Sequence, residues 1–230
     1  MGILLIQGAM TLEIAHYLEC LEQKQEQLIK NYRFWTGKLE GREVVISRTK
    51  MGTLNSSIAT MLGIMNFEPD FVLNQGTAGA HLETIHTGDI IIGERSEYLN
   101  YLVMPVRAEG EGSDSLTWHF NDQLKSRTAT PELVQYFEQL SYSEGKKYVG
   151  VIGSGDIYSR EVDRIHWIQN QKHNLCEDME TASVYEVCHK MGVPRVSVRI
   201  ISNNELLLEP FQKDTALQLQ KFMIGGLGKI

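Results

Sequence analysis

Glu180 departs most from its surroundings. Counting back from the apolar positions Val184, Val187, Cys188 and Met191 puts a carboxylate at the start of a buried helix face, where a hydrophobe belongs. Burying an unpaired carboxylate is costly, so it needs a partner or a ligand. Two readings are open: an acid in a first helical turn favoured by the dipole, or a group accepting hydrogen bonds from two vicinal hydroxyls, as ribose recognition requires. Arg199 interrupts the apolar strand 196–202. Its guanidinium keeps its proton and must meet a carboxylate, an oxyanion or a sugar oxygen. Glu13 is ordinary as a first-turn acid, and is a catalytic base only if it faces a water beside a sugar. Gly76-Thr77-Ala78-Gly79 is either a tight turn or the small-residue wall of a site.

These residues are positioned by apolar strands alternating with amphipathic helices. Residues 3–9 read as a doubly buried strand, and a helix follows with its stripe at Ile14, Tyr17, Leu18 and Leu21, closing in the polar stretch 22–27. Strand-like pieces at 32–35 and 43–47 flank Gly41 as a hairpin turn. Asn55-Ser56-Ser57 caps a second helix with a stripe at Ile58, Met61, Leu62 and Met65, stopped by Pro69. Strands at 71–74, running into a small-residue turn at 75–80, and at 88–93 come next, then a polar surface or interface loop at 108–115. A strand at 148–152, the helix ending at Gly192-Val193-Pro194, the strand 196–202 and a helix over about 211–224 complete the pattern. The expectation is an α/β fold: one domain over residues 1–230, three layers (α/β/α), with a central mixed, largely parallel twisted sheet. In such sheets ligands bind beyond the carboxyl ends of the strands, where the unusual residues cluster.

Composition narrows the function classes. With 230 residues, 42% of them hydrophobic, the chain can bury one substantial core. A net charge of −7, from 22 Lys+Arg against 29 Asp+Glu, provides no basic field, so nucleic acid is not an expected partner. Cys20, Cys176 and Cys188 are odd in number and far apart, which suggests neither a disulfide framework nor a zinc site. No metal or organic cofactor is implied, since no ligand spacing appears among the histidines. The apolar start lacks the features of a secretion leader and no stretch has the length of a membrane span, so a cytoplasmic protein is expected.

At these residues the chain resembles the nucleoside phosphorylase/nucleosidase superfamily, and within it the methylthioadenosine/S-adenosylhomocysteine nucleosidases. The similarity runs nearly end to end: Gly8-Ala9-Met10 with Glu13, then Asn74-Gln75-Gly76-Thr77-Ala78-Gly79, Gly88-Asp89-Ile90, Ser154-Gly155-Asp156, Asp178-Met179-Glu180-Thr181-Ala182 and Val198-Arg199-Ile200-Ile201-Ser202. The segment 98–122 matches poorly. The resemblance implies that Glu13 positions and deprotonates the attacking water, that Thr77 stands where serine is usual near that water, and that Arg199 joins this network. It implies that Met179 and Glu180 clamp the ribose, Tyr158 stacks on the purine and Ser159 offers backbone groups to the base edge. It implies as well that Met10, Met51 and Phe211 line the pocket for the 5′ substituent. It further implies a homodimer, whose partner contribution comes from the loop near 104–112.

One position departs from the family pattern. Asn203 stands where the family has the aspartic acid that protonates N7 of the base. An amide hydrogen-bonds N7 but cannot donate a proton as an acid does. Two consequences compete: a slow adenine nucleosidase, or a preference for 6-oxopurines, as in futalosine hydrolases and some purine nucleoside phosphorylases. The arginine that phosphorylases carry after the first-strand turn is absent from Gly8-Ala9-Met10-Thr11, which points to water as the nucleophile. The expected activity is hydrolysis of the N-glycosidic bond of a methylthioadenosine-type purine nucleoside, with a phosphorylase and a catalytically weak nucleoside sensor as rivals.

Overall fold

In the computed structural model the described residues are 2–121, 123 and 125–228. In chain order the elements are β1 (Leu4–Gly8), α1 (Thr11–Cys20), β2 (Glu22–Ile29), β3 (Tyr32–Leu39), β4 (Arg42–Arg48), α2 (Thr53–Phe67), β5 (Phe71–Ala80) and β6 (Ile90–Tyr98). They continue with β7 (Leu102–Val103), β8 (His119–Phe120), β9 (Arg127–Thr128), α3 (Pro131–Gln139), β10 (Lys147–Ser154), α4 (Val162–Lys172), β11 (Asn174–Asp178), α5 (Thr181–Met191), β12 (Arg195–Asn203) and α6 (Thr215–Leu227).

The main sheet runs β11-β10-β6-β12-β5-β1-β4-β3-β2, with β9 on β6. It is mixed: β1 pairs in parallel with β4 and β5, β12 with β5, and β10 with β6 and β11, while β2, β3 and β4 form antiparallel hairpins and β12 runs antiparallel to β6. β11 also pairs antiparallel with β5 through Cys176↔Ala80 and Glu177↔Gly79. That pairing closes β5, β12, β6, β10 and β11 into a ring filled by Ala78, Ile91, Ile152, Cys176 and Ile201.

Alternation along the strands builds the layers. Leu4 and Ile6 face one way, onto Ile14 and Tyr17 of α1, Phe137 of α3 and Leu219 and Met223 of α6. Leu5 faces the other way, onto Ala59 and Ile64 of α2 and Val184 and Cys188 of α5. Helices thus cover both faces of the sheet. Among the described residues no helix is long and apolar enough to cross a membrane.

Four local expectations need correction. The polar stretch after α1 is a strand, β2, solvated along nearly its whole length and held by pairing with β3 and by Glu26 accepting from Arg33 Nη1 (2.6 Å) and Trp35 Nε1 (3.2 Å). The small-residue turn after Asn74 instead continues β5 to Ala80, because β12 and β11 flank it there. The buried face of α2 is Ser56, Ala59, Thr60, Gly63 and Ile64, leaving Met61 and Met65 exposed: close packing on β1 selects small residues, with Gly63 against Leu5. The final helix starts at Thr215, four residues later than its apolar pattern suggests.

Candidate active site

The carboxyl ends of β1, β4, β5, β11 and β12 meet around a cavity of about 340 Å³. Its wall includes Met10, Glu13, Met51, Thr77, Tyr158, Met179, Glu180, Asn203 and Phe211, so nine of the sequence-derived candidates share one space. Arg199 is fully buried beneath this wall. Ser159 is turned away: its N–H and hydroxyl donate to Glu177 Oε1 (2.9 Å) and Oε2 (2.8 Å).

Glu13 projects from the first turn of α1. One oxygen accepts from the backbone N–H groups of Ala9 (2.8 Å) and Met10 (2.9 Å), which are free because the chain is leaving β1 for the helix. The other accepts from the N–H (2.9 Å) and hydroxyl (3.1 Å) of Thr77 on β5. Four donors from two elements fix the carboxyl group, so helix capping and site building are one feature here. Gly76 makes the approach possible. With φ at +157°, a Cβ there would lie 2.6 Å from Glu13 Oε1 and 2.7 Å from Arg199 Nη1.

Glu180 is the residue preceding α5, outside the helix rather than on its stripe, and only 4% exposed. Oε1 accepts from the Gly52 N–H (3.1 Å) and Oε2 from Arg199 Nη1 (3.5 Å). Burial pushes its carboxyl pKa up, against the pull of Arg199. Asp178, the last residue of β11, completes the network. It accepts from the N–H groups of Glu180 and Thr181 (both 3.2 Å) and from the hydroxyls of Ser154 and Thr181, which ties the turn into α5. Its Oδ2 is 2.8 Å from Arg199 Nε, whose N–H points off that line, so the contact is an ion pair rather than a formed hydrogen bond. Arg199 also donates to Asn74 Oδ1 and Thr181 Oγ1. Burial works against its charge, but Asp178 and Glu180 outweigh it and its pKa is raised.

At the other end of the cavity, Asn203 accepts from Ser202 Oγ at Oδ1 (2.9 Å) and directs Nδ2 toward Glu205 Oε1 (3.4 Å). Its amide orientation follows from that carboxylate, which only accepts. Tyr158, Phe211 and Met51 are each about half exposed and form an apolar mouth. The geometry therefore has a fixed acceptor at Glu13, a buried carboxyl group at Glu180 and an amide at Asn203 around one cavity. Reading residues one at a time does not single out Glu177 and Asp178. The signal was there in two consecutive acids at the end of a short strand, but what makes them part of the wall is the distant pairing of β11 with β5.

Comparison with known proteins fits this geometry. The phosphorylase superfamily model matches residues 3–222. A 5′-methylthioadenosine/S-adenosylhomocysteine nucleosidase from Shewanella loihica is 31% identical over 212 residues, covering 91% of this chain and 90% of that one. The structure of the Neisseria meningitidis 5′-methylthioadenosine/S-adenosylhomocysteine nucleosidase in complex with methylthio-immucillin-A superposes with a TM-score of 0.85 at 22% identity, over 100% of both chains. A futalosine hydrolase mutant of Helicobacter pylori superposes with a TM-score of 0.81 at 21% identity, also over 100% of both. At these identities the two structures speak for the fold alone.

Proposed function

The chain belongs to the 5′-methylthioadenosine/S-adenosylhomocysteine nucleosidases of the phosphorylase superfamily, and from that membership we propose how its site works. It is a purine nucleoside N-ribohydrolase: water replaces the base at C1′ of a 5′-thio-substituted nucleoside. The observation that carries the choice of water is the cavity wall, where Glu13 is held by four donors and, among the described residues, no lysine or arginine lines the space to take a phosphate.

Glu180 accepts the ribose hydroxyls, and Met179 packs on the sugar. As the C1′–N9 bond stretches, positive charge develops on the ribose, and the carboxylates of Glu13 and Glu180 beside it stabilise that charge in a water-poor cavity. Glu13 takes the proton of the attacking water. Tyr158 stacks on the base and Met10, Met51 and Phe211 surround the 5′ substituent, while Ser159, turned away from the cavity, holds Glu177 at its wall. The whole chain acts as one nucleosidase-like domain, cytoplasmic and paired with a second copy. The exposed apolar side chains Leu54, Met61 and Met65 along α2 support the pairing.

Asn203 favours a second reading, a 6-oxopurine leaving group, because the amide can donate to both N7 and O6. Turnover of methylthioadenosine beside its inosine counterpart separates the two. Adenine release at a kcat/KM at least about ten times that for hypoxanthine release is the expected result, the size of preference one well-placed hydrogen bond supports. The reverse preference overturns the adenine assignment.

A further inference from the structure

A departing purine needs a proton, and Asn203 has none to give as an acid. The other carboxyls on the cavity wall are committed elsewhere. Glu13 is held by four donors at the sugar end, Glu180 is bonded to Gly52 and Arg199, and Asp178 is tied to Arg199 and the start of α5. Glu177 remains. It lines the same cavity, is 7% exposed, and accepts only from neutral donors, the N–H and hydroxyl of Ser159, without the Arg199 contact that Glu180 and Asp178 have.

The sheet fixes where Glu177 stands. Glu177 and Asn203 are the cross-strand neighbours of Gly79, one on each side. Strands two apart are about 10 Å from each other, and Gly79 has no side chain between them. The Asn203 amide leans over Gly79, its Nδ2 3.2 Å from where a Cβ there would lie, so an amide and an acid border the same end of the cavity. We propose that Glu177 is the general acid of this site and hands its proton to N1 of the departing base while Asn203 hydrogen-bonds N7.

The surroundings of Glu177 keep its proton available. Burial raises its pKa to about 7, opposed by the Ser159 hydrogen bonds and assisted by Asp178, with Arg164 of α4 pulling the other way. Tyr158 and Cys176 are the other titratable groups near it. His81 Nε2 is 3.5 Å from Glu177 Oε2. Burial lowers the His81 pKa to about 4, so the ring is neutral, and Asn174 Nδ2 donating to Nδ1 (2.9 Å) leaves the ring proton on Nε2, facing Glu177. No cation in contact forces Glu177 to stay ionised among these neighbours, and an acid titrating near the working pH is what proton donation requires.

In the step, the Glu177 O–H bond breaks and an N1–H bond forms, while the C1′–N9 pair moves onto the base. Water closes on C1′ and its proton goes to Glu13. The base leaves as a neutral tautomer, and solvent carries the proton from Glu13 back to Glu177. The inference rests on the adenine reading, because N1 of a 6-oxopurine already bears hydrogen and cannot accept another.

The test compares wild type with Glu177→Gln on methylthioadenosine and on 4-nitrophenyl 5-methylthioriboside, whose phenolate leaves without a proton. The expected result is a kcat loss of about 100-fold on the nucleoside and a loss under about 3-fold on the phenyl riboside, the size expected when a proton donor is not needed. Independently, wild-type kcat on methylthioadenosine falls as pH rises through about 7, and this limb is absent from the variant. Equal losses on both substrates, or an unchanged limb in Glu177→Gln, overturn the proposal while leaving the nucleosidase reading intact. Failure of the wild type to cleave any purine nucleoside sinks that reading and this one with it.

Discussion

Glu13→Gln lowers kcat for methylthioadenosine by about a thousandfold, within the range removed with a general base, and leaves KM within a few fold. The amide has nearly the shape of the carboxyl, and its one oxygen still accepts either from Thr77 or from the end of β1, with its NH2 turned to the other pair. It cannot take a proton from water. Steady-state kinetics with adenine detection reads both parameters. A loss below about fivefold would show that the base lies elsewhere, because no general base of ordinary strength contributes so little.

Arg199→Met acts on the fold before it acts on the reaction. The guanidinium is fully buried and is the counter-charge for Asp178 at 2.8 Å and Glu180 at 3.5 Å, and methionine leaves both carboxylates buried without it. Removing one partner of a buried ion pair costs about 3–5 kcal/mol, which for a chain of this size lowers Tm by roughly 10 °C or more. Thermal unfolding measures it. Adding Asp178→Asn to Arg199→Met recovers part of the loss, since one uncompensated charge goes with it. A single variant as stable as wild type, or a double variant that is simply additive, would show that the three charges are not coupled.

How far the sequence carries depends on the range of the interaction that decides each feature. The buried parallel strands were legible because continuous apolar runs such as Leu4-Leu5-Ile6 and Phe71-Val72-Leu73 have no other stable place. The outer strand β2 was not. It is solvated on both faces, so Glu22-Gln23-Lys24-Gln25-Glu26-Gln27 has no alternation to read, and only its partner β3 makes it a strand. Glu180 drew attention as a carboxylate on an apolar stripe, and it is a buried carboxylate facing the cavity, but it precedes α5 and is held by Gly52 from a loop 128 positions away in sequence. Arg199 was legible for a sound reason, since a guanidinium in an apolar strand needs anions. Which anions was not, because Asp178 reaches it only after β11 folds back onto β5. The same closure brings Glu177 opposite Asn203, so the amide that looked like a missing acid in the chain has an acid across the cavity in the fold.

The central claim is that water, drawn on by Glu13, is the nucleophile at C1′. Methylthioadenosine turnover followed by ³¹P NMR and chromatography, with and without inorganic phosphate, tests it directly. The account predicts adenine and free methylthioribose at the same rate in both conditions, with no phosphorylated sugar. A rate that depends on phosphate, with methylthioribose 1-phosphate accumulating, would contradict it.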